Sequence, residues 1–374
     1  MSEKPNLNGF KIYDKNYFYS SNVLNTSTKF GADRITKVVT CSSSYIKANC
    51  KATVANWNAP MILGVIVEDN KILGNQSACV YCTIKNLGKI TSKLALYFIF
   101  NGRVANATTN GDLLKYLSSL KCHNKKEYTN YCSLKKMAFS DKVTKVSKYP
   151  INPLRNVMKK EVKTNFVIFT DMDHLYSKNF ERKMSYLAKK QLKPGSKKVL
   201  VFRMFEVHDS IVGGVNNKTH LARLLKSKKA YEFHAIGYPK GHKVPKLKEW
   251  LKRKEATVPV VQFVQPYKII EWEPQIVSRT DIPDFYAIPY PLHSNTSHRR
   301  ELCRAGYAFL VASDCFAYHR GFKSKNELRL VRAVAKLQIK TNKFNKTSLD
   351  FEAKLDKLYP NTHNKCPRYK APKA

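Results

Sequence analysis

No stretch of this chain approaches the roughly 18–20 consecutive apolar residues that a membrane span needs, so nothing in it reads as a transmembrane helix. The N-terminus, Met1-Ser-Glu-Lys-Pro5, lacks the charged-then-apolar pattern of a signal peptide. Read literally, these two absences describe a soluble chain that is not secreted. There is no internal repeat and no low-complexity linker, so one continuous domain is the simplest organisation. Acidic residues are scarce: 27 Asp and Glu stand against 67 Lys and Arg, a net charge of +40 over 374 residues. That imbalance brings nucleic acid, anionic polysaccharide, nucleotide substrates and acidic membranes into view as partners. Its distribution argues against a dedicated nucleic-acid groove. The doublets Lys125-Lys126, Lys135-Lys136, Lys159-Lys160, Lys189-Lys190, Lys197-Lys198 and Lys228-Lys229 are scattered along the chain. Lysine also dominates, whereas planar recognition of bases and phosphates favours arginine. The surface therefore reads as a basic solvated face suited to a polyanionic acceptor, with no specific nucleic acid.

What is present describes a folded protein. Hydrophobic content of 43% and aromatic content of 11% exclude a disordered polycation, and the length allows a sizeable core. Nine cysteines fall partly in close pairs, Cys41/Cys50, Cys79/Cys82, Cys122/Cys132 and Cys303/Cys315, with Cys366 left over. A disulfide set of that kind needs an oxidising compartment, against the literal reading of the N-terminus. N-x-S/T sequons at Asn25, Asn75, Asn106, Asn217, Asn295 and Asn345 point the same way, although an Asn-, Ser- and Thr-rich chain collects some by chance. The C-x-x-C at Cys79–Cys82 has no second C-x-x-C or H-x-x-x-H at metal-ligand spacing, which sets zinc aside.

Along the chain, residues 1–34 are polar, Asn-rich and weakly periodic, and read as an extension or stem. Ile35–Thr40 reads as a strand ending in a small polar turn, followed by a helical segment and a second apolar run, Met61–Val67. That succession is the first unit of a parallel α/β sheet. Leu94–Phe100 and Lys198–Glu206 are further strand candidates, and Val258–Gln275 is strand-rich. Asp112–Leu120 and His220–Lys228 have helical character. Glu301–Phe316 reads as a helix end, a Gly306 turn and a strand. Beyond Asn345 the chain is basic with Pro360, Pro367 and Pro372, giving a helix and a loose end. One domain over 35–345 with a basic tail at 346–374 follows.

The stretch that carries chemistry is Phe166-Val-Ile-Phe-Thr170 with Asp171 and Asp173 at its end. Aromatic and β-branched residues in a continuous run are the composition of a strand buried on both faces. On an extended backbone, positions two apart project the same way, so both carboxylates would sit where an open α/β sheet binds ligands. The competing account is a strand followed by an Asp-capped turn into a helix at Phe180–Lys190. Aspartyl phosphotransfer of the haloacid-dehalogenase kind is a poor fit: residue 175 is Leu, the motif is mid-chain, and no adjacent acidic pair follows. A nucleotide-sugar transferase fits better, since a Mg²⁺ or Mn²⁺ ion held by paired carboxylates neutralises a diphosphate leaving group.

The flanking residues resemble glycosyltransferase family 49. The resemblance runs from Tyr149-Pro-Ile-Asn-Pro-Leu-Arg-Asn156 into the D-x-D strand. It continues through Val199-Leu-Val-Phe-Arg-Met-Phe-Glu206, Lys240-Gly-His242, Trp250 and Glu271-Trp-Glu-Pro274. It ends at Glu301-Leu-Cys-Arg-Ala-Gly-Tyr307 and Phe316-Ala-Tyr-His319, spanning about residues 35–325 in the family's order. It implies a GT-A fold, with a mixed, mostly parallel sheet flanked by helices, a UDP-sugar donor, an inverting transfer to a glycan or glycoprotein acceptor, and a Golgi or secretory-lumen setting. It implies Mn²⁺ at Asp171, Asp173 and His319. Thr40, at the tip of the first strand, and Arg155 and Asn156, before the D-x-D, are expected to contact the nucleotide. Glu206, Glu273 and His242 match positions facing the reaction centre, while Trp250 and Trp272 suit core packing. An inverting transfer needs a carboxylate base, for which Asp284 and Glu273 are the candidates. The chain departs from the family pattern over Asp281–Asn295, where Pro289 and Pro291 replace glycines, and after His319, where Arg320-Gly-Phe-Lys follows. Proline cannot take the positive φ that glycine permits, so that loop should be shaped differently. The resemblance thus implies a metal-dependent UDP-sugar transferase of glucuronyltransferase type, and two other readings stand beside it: a family member that binds glycans or partners without catalysis, and a basic nucleic-acid-binding protein.

Overall fold

The computed structural model describes residues 8–46, 50–102, 108–133, 137–235, 237–362 and 364–370. Asn106 and the Lys135-Lys136 doublet lie outside them. Twelve strands are present among the described residues: β1 (Lys11–Ile12), β2 (Tyr17–Leu24), β3 (Ile35–Ser42), β4 (Met61–Ile66), β5 (Leu94–Asn101), β6 (Phe166–Thr170), β7 (His174–Tyr176), β8 (Lys198–Val207), β9 (Ala230–Glu232), β10 (Val261–Gln265), β11 (Gln275–Arg279) and β12 (Ala308–Arg320). They form one sheet in the order β1-β2-β5-β4-β3-β6-β11-β8-β12-β10, with β7 beside β12 and β9 beside β8. Its nucleus, β5-β4-β3-β6, is parallel throughout. β8 and β12 form a second parallel pair, and antiparallel pairings join and flank these units. The α/β class expected from the sequence is the class observed.

The parallel nucleus is built from runs that have no polar face. Every residue of β4 is buried, as a strand covered by helices on both sides requires. Helix Ile151–Lys159 lies against one face, burying Leu154, Val157 and Met158 with Val38, Ile62 and Ile99. Gly64 permits that approach, because a Cβ there would stand 2.5 Å from Met158 Cγ. Pro153 is tolerated in this helix because first-turn amides have no intrahelical partner to lose.

Three expectations change. Residues 10–24 are not a stem: Tyr17–Leu24 pairs antiparallel with β5, and Phe10, Phe18 and Val23 are buried in the main core. The tail is not loose either. Helix Lys343–Leu358 docks on helix Thr296–Arg304 through Arg300–Glu352 at 2.6 Å and Arg304–Asp356 at 2.7 Å, and Cys303–Cys366 ties its end. The disulfides do not follow sequence proximity. Cys79 and Cys82 lie three residues apart in helix Asn75–Lys85 and reach out separately, to Cys132 and Cys122. Cys41, Cys50 and Cys315 are buried and free.

Candidate active site at the carboxyl edge of the sheet

From β3 the strand order runs one way to β4 and β5, and the other way to β6. The carboxyl ends of strands at such a reversal open a crevice, the usual place for a ligand in an α/β sheet. Asp171 and Asp173 follow β6 directly, and Thr40 is one residue past the Val39–Thr170 pair. The D-x-D itself is not extended. Residues 172 and 173 form a turn before β7, and the two carboxylates converge because that turn wraps around the ring of His174. His174 Nε2 is 3.7 Å from Asp171 Oδ2 and 3.9 Å from Asp173 Oδ1. Asp171 is half-exposed and Asp173 nearly buried.

His319 arrives by strand register. On β12 it pairs with His174 of β7 on one side and Glu206 of β8 on the other. Its Nδ1 lies 2.9 Å from the Gly321 carbonyl, to which it donates, and this turns Nε2 towards Asp173 Oδ2 at 3.1 Å. Burial opposes protonation of His319, but Asp173 and the Gly321 carbonyl outweigh it and raise its pKa. Burial likewise opposes ionisation of Asp173, yet His319, His174 and the Tyr45 hydroxyl hold it below the usual carboxylate range. Tyr45, just past β3, donates to Asp173 Oδ2 at 3.0 Å. Beneath the turn, the buried Lys37 ammonium donates to the His174 carbonyl at 3.2 Å, and burial pushes its pKa down to about 7.

A second group flanks the first. Arg155 is buried, with Nη2 3.8 Å from Asp171 Oδ1 and Nη1 donating to Asn152 Oδ1 at 3.1 Å and Asn295 Oδ1 at 2.7 Å. Glu273 sits 3.2 Å from His242 Nε2. Burial raises its pKa, but His242, Asn295 and Arg299 outweigh that and keep it ionised. His234, 3.8 Å from Glu206, stacks on Phe233, which also touches His174, His242 and His319.

The sequence candidates separate accordingly. Asp171, Asp173, His319 and Arg155 come together, and Glu206, His242 and Glu273 border them. Thr40 is a buried strand residue, and Tyr45, just past that strand, reaches Asp173. The Asn156 amide is spent on Phe285: Nδ2 donates to its carbonyl and Oδ1 accepts from its N–H, both at 2.8 Å. Asp284 is largely exposed and paired with Lys159 at 2.8 Å. Trp250 and Trp272 are core residues. Sequence reasoning missed Tyr45, Lys37, His174 and His234. Only His174, adjacent to the D-x-D, carried a local signal.

The loop that departs from the family pattern is held by the helix preceding the D-x-D. Asn152 Nδ2 donates to the Tyr286 and Ser294 carbonyls at 2.7 and 2.8 Å, Asn156 grips Phe285, and Lys159 donates to the Ile282 carbonyl. Positions 152, 156 and 159 share one helix face. Prolines in the loop are compatible with this arrangement because none of these anchors uses the amide of residue 289 or 291.

Among the described residues no three His, Cys, Asp or Glu side chains are already gathered around one point as ligands. The donor chemistry nonetheless suits a hard divalent ion. Two carboxylates and an imidazole with its far nitrogen tied to a carbonyl are what such a site uses.

An α/β sheet presenting paired carboxylates, an imidazole and a buried arginine at its carboxyl edge is in keeping with a glycosyltransferase domain of GT-A type, the class to which the family match assigns the chain. Residues 34–360 match the family described as "Glycosyl-transferase for dystroglycan", and the chain belongs to that family. It is 30% identical over 172 residues to the xylosyl- and glucuronyltransferase LARGE2s of Gallus gallus, covering 46% of this chain and 22% of that protein. The Homo sapiens xylosyl- and glucuronyltransferase LARGE1 is 26% identical over 179 residues, with the same coverage. The chain thus spans about a fifth of the length of the curated relatives it matches. Among solved structures, S. aureus TarS in complex with UDP is 14% identical with a TM-score of 0.35, covering 80% of this chain and 64% of that one. GalNAc-T7 with UDP, GalNAc and Mn²⁺ is 10% identical with a TM-score of 0.36, covering 80% and 48%.

Proposed function

We propose that this chain is a metal-dependent inverting glycosyltransferase that moves glucuronic acid from a UDP-sugar to a glycan acceptor in the secretory pathway. The observation that carries the reading is the convergence of Asp171, Asp173 and His319 at the carboxyl edge of the sheet, with His319 Nε2 3.1 Å from Asp173. These three residues would hold Mn²⁺, which when bound supplies positive charge to the diphosphate of the donor. Arg155, with no carboxylate closer than Asp171 at 3.8 Å, is available to the phosphates or the sugar carboxylate. Tyr45 orients Asp173, and Lys37 holds the turn from below. Glu273 is the proposed base: half-buried, ionised and backed by His242, it can take the proton of the attacking acceptor hydroxyl. Asp284, neutralised at the surface by Lys159, is left a structural part. Three disulfides support a lumenal setting. No helix among the described residues is long and apolar enough to cross a membrane.

The test is release of UDP from UDP-glucuronate with and without Mn²⁺, in wild type and Asp173→Ala. Metal-dependent turnover lost in the variant supports the proposal. Absence of turnover with a panel of UDP-sugars and acceptors would leave a glycan-binding member of the family in its place.

A further inference from the structure

Two carboxylates that are to meet one ion repel each other until it arrives, and the fold has to hold them together. Asp171 is half-exposed, and the Arg155 guanidinium approaches its Oδ1 at 3.8 Å. Asp173 is held through Oδ2 by Tyr45 and His319. None of these three spans the pair. Among the described residues, His174 is the one Lys, Arg or His side chain with a nitrogen within 4 Å of both carboxylates. Its Nε2 stands 3.7 Å from Asp171 Oδ2 and 3.9 Å from Asp173 Oδ1. Both distances exceed a hydrogen bond, so the contact is shared between the two and belongs to neither.

The fold also fixes what that nitrogen carries. His174 is 3% exposed and opens β7, while Thr170 closes β6. The Tyr176 hydroxyl donates to Thr170 Oγ1 at 3.0 Å, and Thr170 Oγ1 lies 2.9 Å from His174 Nδ1. The threonine's own proton has two acceptors in reach, that nitrogen and the Asp171 carbonyl at 3.5 Å, and the shorter contact takes it. In a neutral ring the imidazole proton is then on Nε2, facing the carboxylates. In a charged ring both nitrogens carry one, so Nε2 is a donor in either state. Phe233 pins the ring edge-on, with centroids 5.7 Å apart.

The backbone under the ring is equally constrained. The Thr53 hydroxyl donates to the Met172 carbonyl, and the buried Lys37 ammonium donates to the His174 carbonyl at 3.2 Å. Asn56 brackets Tyr176, accepting from its N–H at 2.7 Å and donating to its carbonyl at 3.1 Å. Lys37 also lies 4.8 Å from the centre of the Tyr176 ring, whose hydroxyl starts the chain to Thr170.

We propose that His174 is a positioning residue for the D-x-D: its Nε2–H, aimed by the Tyr176 and Thr170 hydroxyls, holds Asp171 and Asp173 convergent, so that a divalent ion meets them already paired. The proposal rests on the metal-dependent reading of the site and adds to it a residue other than the three expected ligands. Thr170 and Tyr176 act on the carboxylates only through the ring.

The experiment measures Mn²⁺ binding directly, from the paramagnetic resonance signal of the free ion, with and without UDP. His174→Phe keeps a planar ring without its nitrogens and should bind Mn²⁺ about 10–100-fold more weakly. His174→Gln still offers a side-chain N–H and should stay within about fivefold of wild type. Thr170→Val should weaken binding about threefold or more by itself, and less than about twofold in the His174→Phe background. Long-range proton–nitrogen spectra of nitrogen-labelled histidine should show a protonated Nε2 at His174. These spectra and Thr170→Val keep the role testable if His174→Phe does not fold. With wild type binding Mn²⁺, four results would each overturn the role and leave the metal site standing. These are unchanged affinity in His174→Phe, equal losses in the Phe and Gln variants, additive losses in the double variant, and a bare Nε2 in wild type. A wild type that binds no Mn²⁺ even with UDP overturns the metal-dependent reading, and this role with it.

Discussion

Replacing Asn156 by alanine separates two roles for the helix that precedes the D-x-D. If its amide contacts the nucleotide, the substitution weakens UDP binding and leaves the fold alone. The structure assigns it the opposite work. Asn156 is 7% exposed, and its two 2.8 Å hydrogen bonds satisfy both the N–H and the carbonyl of Phe285. Alanine removes both partners at once. Leaving a buried polar group unpaired costs about 1–3 kcal/mol, so two such groups give about 2–6 kcal/mol, with relaxation favouring the lower half. Phe285 also stacks on His298, meets Phe169 edge-on and supports the Arg155 guanidinium at 5.3 Å, so its displacement loosens one wall of the site. The assay pairs urea unfolding with calorimetric UDP binding. The expected result is a stability loss of about 3 kcal/mol, with the affinity for UDP changed less than about threefold. A variant within about 0.5 kcal/mol of wild type, with UDP binding weakened tenfold, would refute the reasoning and restore Asn156 to the nucleotide site.

Three further outcomes follow from the same geometry. Glu273→Gln should lower kcat by about 10²–10⁴-fold, whereas Asp284→Asn, a surface partner of Lys159, should change it less than about threefold; steady-state kinetics decide. Glu161 anchors the N-terminal strands through Lys11 and the Tyr19 hydroxyl, each at 2.8 Å, and these bonds outweigh burial to lower its pKa below 4.5. A depressed carboxylate stabilises the fold above its unfolded pKa and loses that contribution as pH falls through the folded value. Glu161→Gln should therefore cost about 2 kcal/mol at neutral pH, and its denaturation midpoint should converge on that of wild type in acid. Cys303→Ser/Cys366→Ser opens a bridge across 63 residues, and chain entropy predicts a loss of about 4 kcal/mol by chemical denaturation. An unchanged midpoint would mean that the Arg300 and Arg304 ion pairs alone fix the tail.

Local periodicity located strands and helices correctly, but not the backbone through the D-x-D, which turns instead of running extended. Continuous apolar runs such as Phe166–Thr170 and Met61–Ile66 are strands because no polar residue offers them a solvent face, and the 3.6-residue pattern marks helices such as Lys218–Lys226. The D-x-D and His319 were legible because they stand inside such runs and match the family's motif order. Residues 10–24 were not. Their polar, Asn-rich flanks hide an eight-residue strand whose burial depends on β5, far along the chain. Disulfide partners were equally hidden, since Cys79 and Cys82 share a helix and find their mates on the far side of a long connection.

The sequence by itself thus determined the elements, the α/β class and the carboxylates at the end of β6, because each depends on residues within one or two turns of one another. Only the tertiary structure decided which side chains meet. Strand register set His319 beside His174 and Glu206, a turn rather than an extended backbone brought Asp171 and Asp173 together, and the folding back of 281–295 committed Asn156 to Phe285. The strand-register and loop contacts are fixed by pairing across more than a hundred residues, and no local pattern encodes that choice.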